Sequence, residues 1–336
     1  MYNYGMAKAM KKNQKRKIFG WVFLGVLIFV ALAIVANRAL VYDWWRSITY
    51  KPSEKMAQIR SALELTGEGE FIFNSVQPVL SEKTEFNANC RTGKDSEIAV
   101  LGCFTGDSVF VYNIESEELD GIRELTTAHE LLHAVWSRIS ADERIVLFHS
   151  LKTVLEKNSG FLRDEMENYY EDERQEELYV RAGTEVKDLP DDLEKHYAKF
   201  FKDQDAVVDF YNKYISVFRE LEARRDQTKA QIDELGNVIQ QKNVEYEAGV
   251  EQLNEEIVNF NNCAETVGCF ESQWSFDSRR AALINRQNEL KALYNEIDGL
   301  VAQYNQLVEQ YNNDVTMVRK LNNQINSNST IKEIDD

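Results

Sequence analysis

The sequence predicts a mainly α (α+β) protein in three parts: one membrane-spanning helix, a helical domain with a small sheet, and a long antiparallel coiled-coil hairpin. Three observations carry that prediction. The 336 residues include only three prolines and are rich in Glu, Leu, Asn and Gln, which favours helix over a turn-dense β architecture. An uncharged, almost wholly apolar run occupies residues 18 to 36. Apolar residues at three-four spacing dominate the last third of the chain, the signature of a helical seam. The chain length leaves room for two folded units, or one domain with a long appendage.

The apolar run comes first. Residues 1–17 hold Lys8, Lys11, Lys12, Lys15, Arg16 and Lys17 and no acid; Trp21 lies near the start of the run, and Trp44 and Trp45 lie beyond its end. Nineteen residues at helical rise span roughly 28 Å, enough to cross a bilayer core. Cations before the span predict a cytoplasmic tail at 1–17, an anchor at 18–40, and everything after it outside the cell membrane. A cleavable signal peptide ending near Ala31-Leu32-Ala33 is the competing reading. The run is longer than a usual signal core and continues past that triplet, which favours an uncleaved anchor.

Without the six N-terminal cations, 33 cations face 56 acids, a net charge of −23. That balance repels phosphates and excludes nucleic acid as an expected partner. The four cysteines form two local pairs, Cys90 with Cys103 and Cys263 with Cys269. Neither has zinc-knuckle spacing, and an even count outside the membrane predicts two disulfides, four free buried thiols being the alternative.

Residues 41–205 are expected to form the domain. Pro52 and Ser53 open a short amphipathic helix that ends near Gly67. Three strands are expected next: Phe71 to Phe73, Ile98 to Leu101, and Val109 to Ile114. Gly93, Gly102, Gly106 and Asp107-Ser108 would supply the turns. A helix starting near Leu119 to Ile122 follows, its Ile122, Leu125, Leu132, Trp136 and Ile139 recurring at core spacing. Further helices are expected at 142–157, 163–182 and 191–202, with Gly160, Gly183 and Pro190 as breaks. Phe148, Tyr169 and Phe200 read as packing residues.

The chemistry lies in the first of these helices. His129-Glu130-Leu131-Leu132-His133 places two histidines one turn apart, so that both imidazoles can share a metal ion. Glu130 is displaced by about 100° around the axis, toward a water beside the ion rather than the ion itself. A catalytic zinc needs a third protein ligand, with its fourth position left for water. Trp136 stands where the metzincin pattern has glycine, and no third histidine follows at that spacing. A downstream glutamate is the remaining common choice. Glu177 is preferred because the segment turns apolar just after it, with Glu185 and Glu173 as alternatives. Tyr179 and Tyr197 are candidate oxyanion donors, though either also reads as a packed aromatic; His149 and His196 carry no assignment.

These residues resemble a gluzincin-type zinc metallopeptidase domain, set in a bacterial membrane-anchored protein that ends in a helical hairpin. The resemblance covers 41 to about 205 and departs from the pattern at Arg181, where an acid is usual. It implies Zn²⁺ held by His129, His133 and Glu177, with Glu130 as general base in peptide hydrolysis. It also implies that the strand from Val109 binds an extended peptide along its edge; a plain core strand is the other reading.

From about residue 206 to 326 the seam runs Phe218, Leu221, Ile232, Leu235, Ile239, Tyr246, Val250, Leu253, Ile257 and Phe260, interrupted by Arg225, Thr228 and Lys242. It returns as an unbroken heptad series at Leu290, Leu293, Ile297, Leu300, Tyr304, Leu307 and Tyr311. The short connection predicts an antiparallel hairpin of roughly 70 Å, stapled at its tip by Cys263 and Cys269, rather than a parallel oligomer. The polar residues 327–336 are expected to be disordered. Two functional classes follow: a membrane-anchored extracellular peptidase using the hairpin to recognise a substrate or envelope partner, or a non-catalytic envelope scaffold acting through the hairpin.

Overall fold

The computed structural model describes residues 21, 24–90, 101–158, 162, 166 and 173–326. The basic tail, the start of the apolar run, most of the strand expected at 98–101, most of the first half of the helix expected at 163–182 and the polar C-terminus lie outside the described residues. The chain divides into two units, residues 1–214 with 325–336, and residues 215–324. It is mainly helical, with a three-stranded sheet in the first unit.

Capping residues set the early boundaries. Helix α1 (Leu24–Ala36) and helix α2 (Arg38–Thr49) meet at Asn37 with a bend of 82°. Asn37 donates its side-chain amide to the Ala33 carbonyl at 2.8 Å. Among the described residues no single helix is long and apolar enough to cross a membrane, although this bent pair passes together. The uninterrupted span expected over 18–40 is therefore interrupted at Asn37. Beyond the bend α2 docks: Arg46 donates to the Ser75 carbonyl at 2.6 Å and to the Asp107 carbonyl at 2.9 Å. Arg138 grips Asp43 with two nitrogens at 3.1 and 3.2 Å.

Helix α3 (Glu54–Ala62) is capped by Ser53, whose hydroxyl accepts from the Met56 amide. Helix α4 (Gly67–Val76) is capped in the same way by Thr66, accepting from Gly69. The strand expected at Phe71–Phe73 is thus helical. The threonine cap and the acids Glu68 and Glu70 in the first turn favour helix there, and Gln77 in the left-handed region ends it.

The sheet holds β1 (Val79–Ser81), β2 (Gly102–Phe104) and β3 (Val109–Tyr112) in the order β1-β3-β2. A seven-residue helix, α5 (Lys83–Asn89), leaves β1, and the Cys90–Cys103 disulfide ties its end to β2. β1 pairs parallel to β3 and β2 antiparallel to it, so β3 is central. This corrects the expectation that β3 offers a free edge to a peptide; its Val109 and Val111 are buried core residues. Gly102, expected in a turn, is a strand residue paired with Val111. The turn from β2 to β3 uses Gly106 at φ +96°.

Helices α6 (Ile122–Trp136), α7 (Ala141–Lys157), α8 (Arg174–Glu185) and α9 (Asp191–Tyr197) complete the first core. α6 packs on β2 and β3 and on α8. Gly183, expected to break a helix, lies inside α8 at that contact. A methyl there would meet Leu132 Cδ1 at 2.5 Å and Tyr197 Cε1 at 2.7 Å, so the glycine permits close approach of the two helices.

Most of α10 (Gln204–Glu265) and of α11 (Gln273–Ile325) forms the second unit, in which the two helices run antiparallel. Partner numbers fall along one helix as they rise along the other: Arg224 with Asp314, Lys242 with Glu296, and Gln252 with Arg286. The Cys263–Cys269 disulfide closes the connection, and Phe260, Phe270 and Phe276 cluster beside it with centroids 5.1–5.3 Å apart. Both expected disulfides are present. The seam departs from the expected list at Thr228 and Asp314, both buried, and at Ile257, which is exposed.

Candidate metal centre

Helix α6 begins at Gly121, whose φ of +93° suits a residue without a side chain. The buried Thr126 and Thr127 hydroxyls donate to the carbonyls one turn back, at 2.7 and 2.6 Å. The helix therefore keeps its polar groups satisfied while its apolar face is covered. One turn separates His129 from His133, and their rings lie 5.0 Å apart.

Helix α8 brings Glu177 up to this pair. One carboxylate oxygen is 3.8 Å from His129 Nε2 and the other 3.5 Å from His133 Nε2. Ligand atoms of the three residues all lie within 4.8 Å of one another. A tetrahedral ion with bonds near 2.0–2.1 Å needs ligands about 3.3 Å apart, and Glu177 stands near that separation from each imidazole. Glu177 is 4 % exposed and the imidazoles about a fifth exposed, so solvent reaches the site from the histidine side. The donor set of two imidazoles and a carboxylate, with no thiolate, suits zinc in an open site.

Glu176 supplies a fourth feature. Its Oε1 is 2.8 Å from His133 Nδ1, which fixes the proton on that nitrogen and leaves Nε2 for an ion. Burial holds His129 down to about 3, against the pull of Glu177. It remains a neutral ligand at any ordinary pH. Burial also opposes a charge on His133, but hydrogen bonds to Glu176 and Glu177 and the Glu130 charge outweigh it and raise the imidazole to about 10. The carboxylates thus favour a positive charge at this point, and an entering metal competes with a proton for it.

Glu130 lies outside the three-donor set, is 6 % exposed, and faces strand β2. A methyl built on Gly102 would lie 2.7 Å from Glu130 Oε1 and 2.7 Å from Thr126 Cγ2. Only a glycine lets the β2 backbone approach the carboxylate this closely. This corrects the sequence reading of Gly102 as a turn residue and gives it a place beside the candidate base.

The alternative third ligands do not join the site. Glu185 ends α8 and turns to Arg181, whose Nη1 donates to both its oxygens at 3.3 Å; burial pushes its carboxyl up to about 7. Glu173 stands at the N-terminal boundary of α8 and lies outside the donor cluster. The candidate oxyanion donors also fall away. Tyr179 and Tyr197 are fully buried, the Tyr197 hydroxyl donates to the Tyr179 carbonyl at 2.6 Å, and the Tyr179 hydroxyl meets His196 Nε2 at 2.9 Å. His196 is a core histidine and His149 is exposed. The sequence reading missed Glu176; the signal for it was the need of a ligand histidine for an Nδ1 partner, with an acid beside the expected ligand.

Comparison with protein-family models, curated proteins and solved structures returns no match for this chain.

Proposed function

We propose that the protein is a membrane-anchored zinc metallopeptidase of gluzincin type that hydrolyses peptide bonds outside the cell membrane. One observation carries the reading: Glu177 converges with His129 and His133, while Glu130 of the same motif stays outside the donor set. A zinc ion held by these three residues supplies Lewis-acid polarisation and a water of lowered pKa. Glu130 accepts the proton of the attacking water at its carboxylate, holds it, and returns it to the leaving amine. Glu176 keeps His133 oriented, and β2, the edge strand beside Glu130 among the described residues, supports extended-peptide binding by main-chain pairing. The exposed apolar side chains of α1 and the basic tail before them support the anchor and its orientation.

The scaffold reading remains the rival class, favoured by the length of the hairpin helices. Glu130 separates the two, because a structural metal site has no use for an acid beside its ligands. In the purified chain, Glu130→Gln should retain zinc and lower hydrolysis of a peptide library at least about 100-fold. His133→Ala and Glu177→Ala should each lose most of the metal. A chain that takes up no zinc on reconstitution defeats the peptidase reading and leaves the scaffold.

A further inference from the structure

Three acidic or basic residues follow one another at single-turn intervals on α8: Glu177, Arg181 and Glu185. Arg181 Nε donates to Glu177 Oε1 at 2.7 Å, and its Nη1 reaches both oxygens of Glu185 at 3.3 Å. All three side chains are largely shielded, at 4 %, 17 % and 8 % exposure. An exposed pair of this spacing contributes little. Here one end of the chain of contacts is the carboxylate that faces both imidazoles.

We propose that Arg181 is a positioning residue that makes Glu177 a one-oxygen ligand, and that Glu185 seats Arg181 for that task. This rests on the zinc reading above. A carboxylate facing a cation with two unengaged oxygens can bind through both. The charge-assisted hydrogen bond from Arg181 occupies Oε1 and withdraws electron density from it. Oε2, 3.5 Å from His133 Nε2, is left as the single donor. One oxygen and two imidazoles make three protein ligands, so the fourth position stays open for water. A lone guanidinium beside a divalent cation would be repelled from it. Glu185, on the far side, accepts from Arg181 Nη1 with both oxygens and keeps the guanidinium in place. The residue that departs from the gluzincin pattern therefore has a task of its own.

Cobalt(II) absorption of the full-length chain tests this, because intensity in its visible bands reports coordination number. Metal affinity is measured by chelator competition, and thermal unfolding of the metal-free protein records folding. Arg181→Met with Glu185→Met removes both of these charges together and leaves Glu177 facing the two imidazoles. This double variant is expected to bind metal about 10–100-fold more weakly and to show the weaker, shifted bands of a higher coordination number. Arg181→Lys, which keeps a cationic donor, should recover part of both. A folded double variant with wild-type affinity and bands overturns the proposal and makes the contacts a helix salt bridge only. X-ray absorption of the zinc-loaded wild type decides the matter even if the variant fails to fold. About four light ligands near 2.0 Å are expected, and a fifth, longer oxygen overturns one-oxygen ligation. A wild-type chain that takes up neither cobalt nor zinc overturns the zinc reading itself, and this proposal with it.

Discussion

At the scale of single residues, Gly102 and Glu130 define the tightest constraint near the candidate base. Any side chain at 102 enters the space of the Glu130 carboxylate, so Gly102→Ala must displace the carboxylate, the strand, or both. A displacement near 1 Å lowers a positioned group's effect by about 100-fold. Gly102→Ala should therefore depress hydrolysis toward the level of Glu130→Gln while zinc content, measured by emission spectroscopy, stays at wild type. Full activity would mean that Glu130 has room to move without cost. The motif itself was plain in the sequence, because its three functional residues lie within five positions of one another. Glu176 and Gly102 were not, because each matters through a contact with a residue distant in the chain.

Elements carry the next set of consequences. The hairpin helices are held by a long seam, by the Arg224–Asp314 pair and by the tip disulfide. The disulfide closes a very short loop, for which the chain-entropy argument gives about 2 kcal/mol. Cys263→Ser with Cys269→Ser should lower the stability of this unit by about that amount while far-UV circular dichroism keeps its helical signal. Collapse of the helical signal would assign the staple a larger part than the seam. Gly249 makes a related point. A methyl there would meet Leu290 Cδ2 at 2.6 Å, so the seam needs a small residue opposite that leucine, where the apolar repeat alone suggested its neighbour Val250. In the first unit, periodicity misread Phe71–Phe73 because three apolar residues in a row fit a strand as well as a buried helix; the Thr66 cap decided the matter.

For the whole molecule, the buried His196 links stability to pH. Burial and the Lys199 charge hold it down to about 4, against the pull of Glu143, whose carboxylate is 3.2 Å from its Nδ1. Tyr179 faces its other nitrogen. Between pH 6.5 and about 4 the unfolded chain binds this proton and the native one does not, so the stability contributed by neutral His196 is lost as the pH falls, while Glu185, raised to about 7, acts in the opposite sense. The loss should approach roughly 3 kcal/mol across that window, read by denaturant unfolding. His196→Gln should remove that contribution from the slope, and a slope unchanged by the substitution would leave His196 without a part in it. Orientation is tested separately: protease added to intact cells should degrade the chain beyond Trp45, and full protection of that region would reverse the topology.

The sequence by itself determined what short-range periodicity can write: the two-histidine helix, the antiparallel hairpin and the two local disulfides. Each depends on residues a few positions apart, or on a seam repeated often enough to outweigh its interruptions. Only the tertiary structure decided the order of the sheet, which made β3 central, and the choice among Glu173, Glu177 and Glu185. Three glutamates on one segment are equivalent to a pattern of residue types. They differ once Gly183 lets α8 approach α6, where Glu177 faces the histidines and Arg181 bridges it to Glu185. A metal site closes by convergence in space, and the packing of two helices fixes which carboxylate arrives.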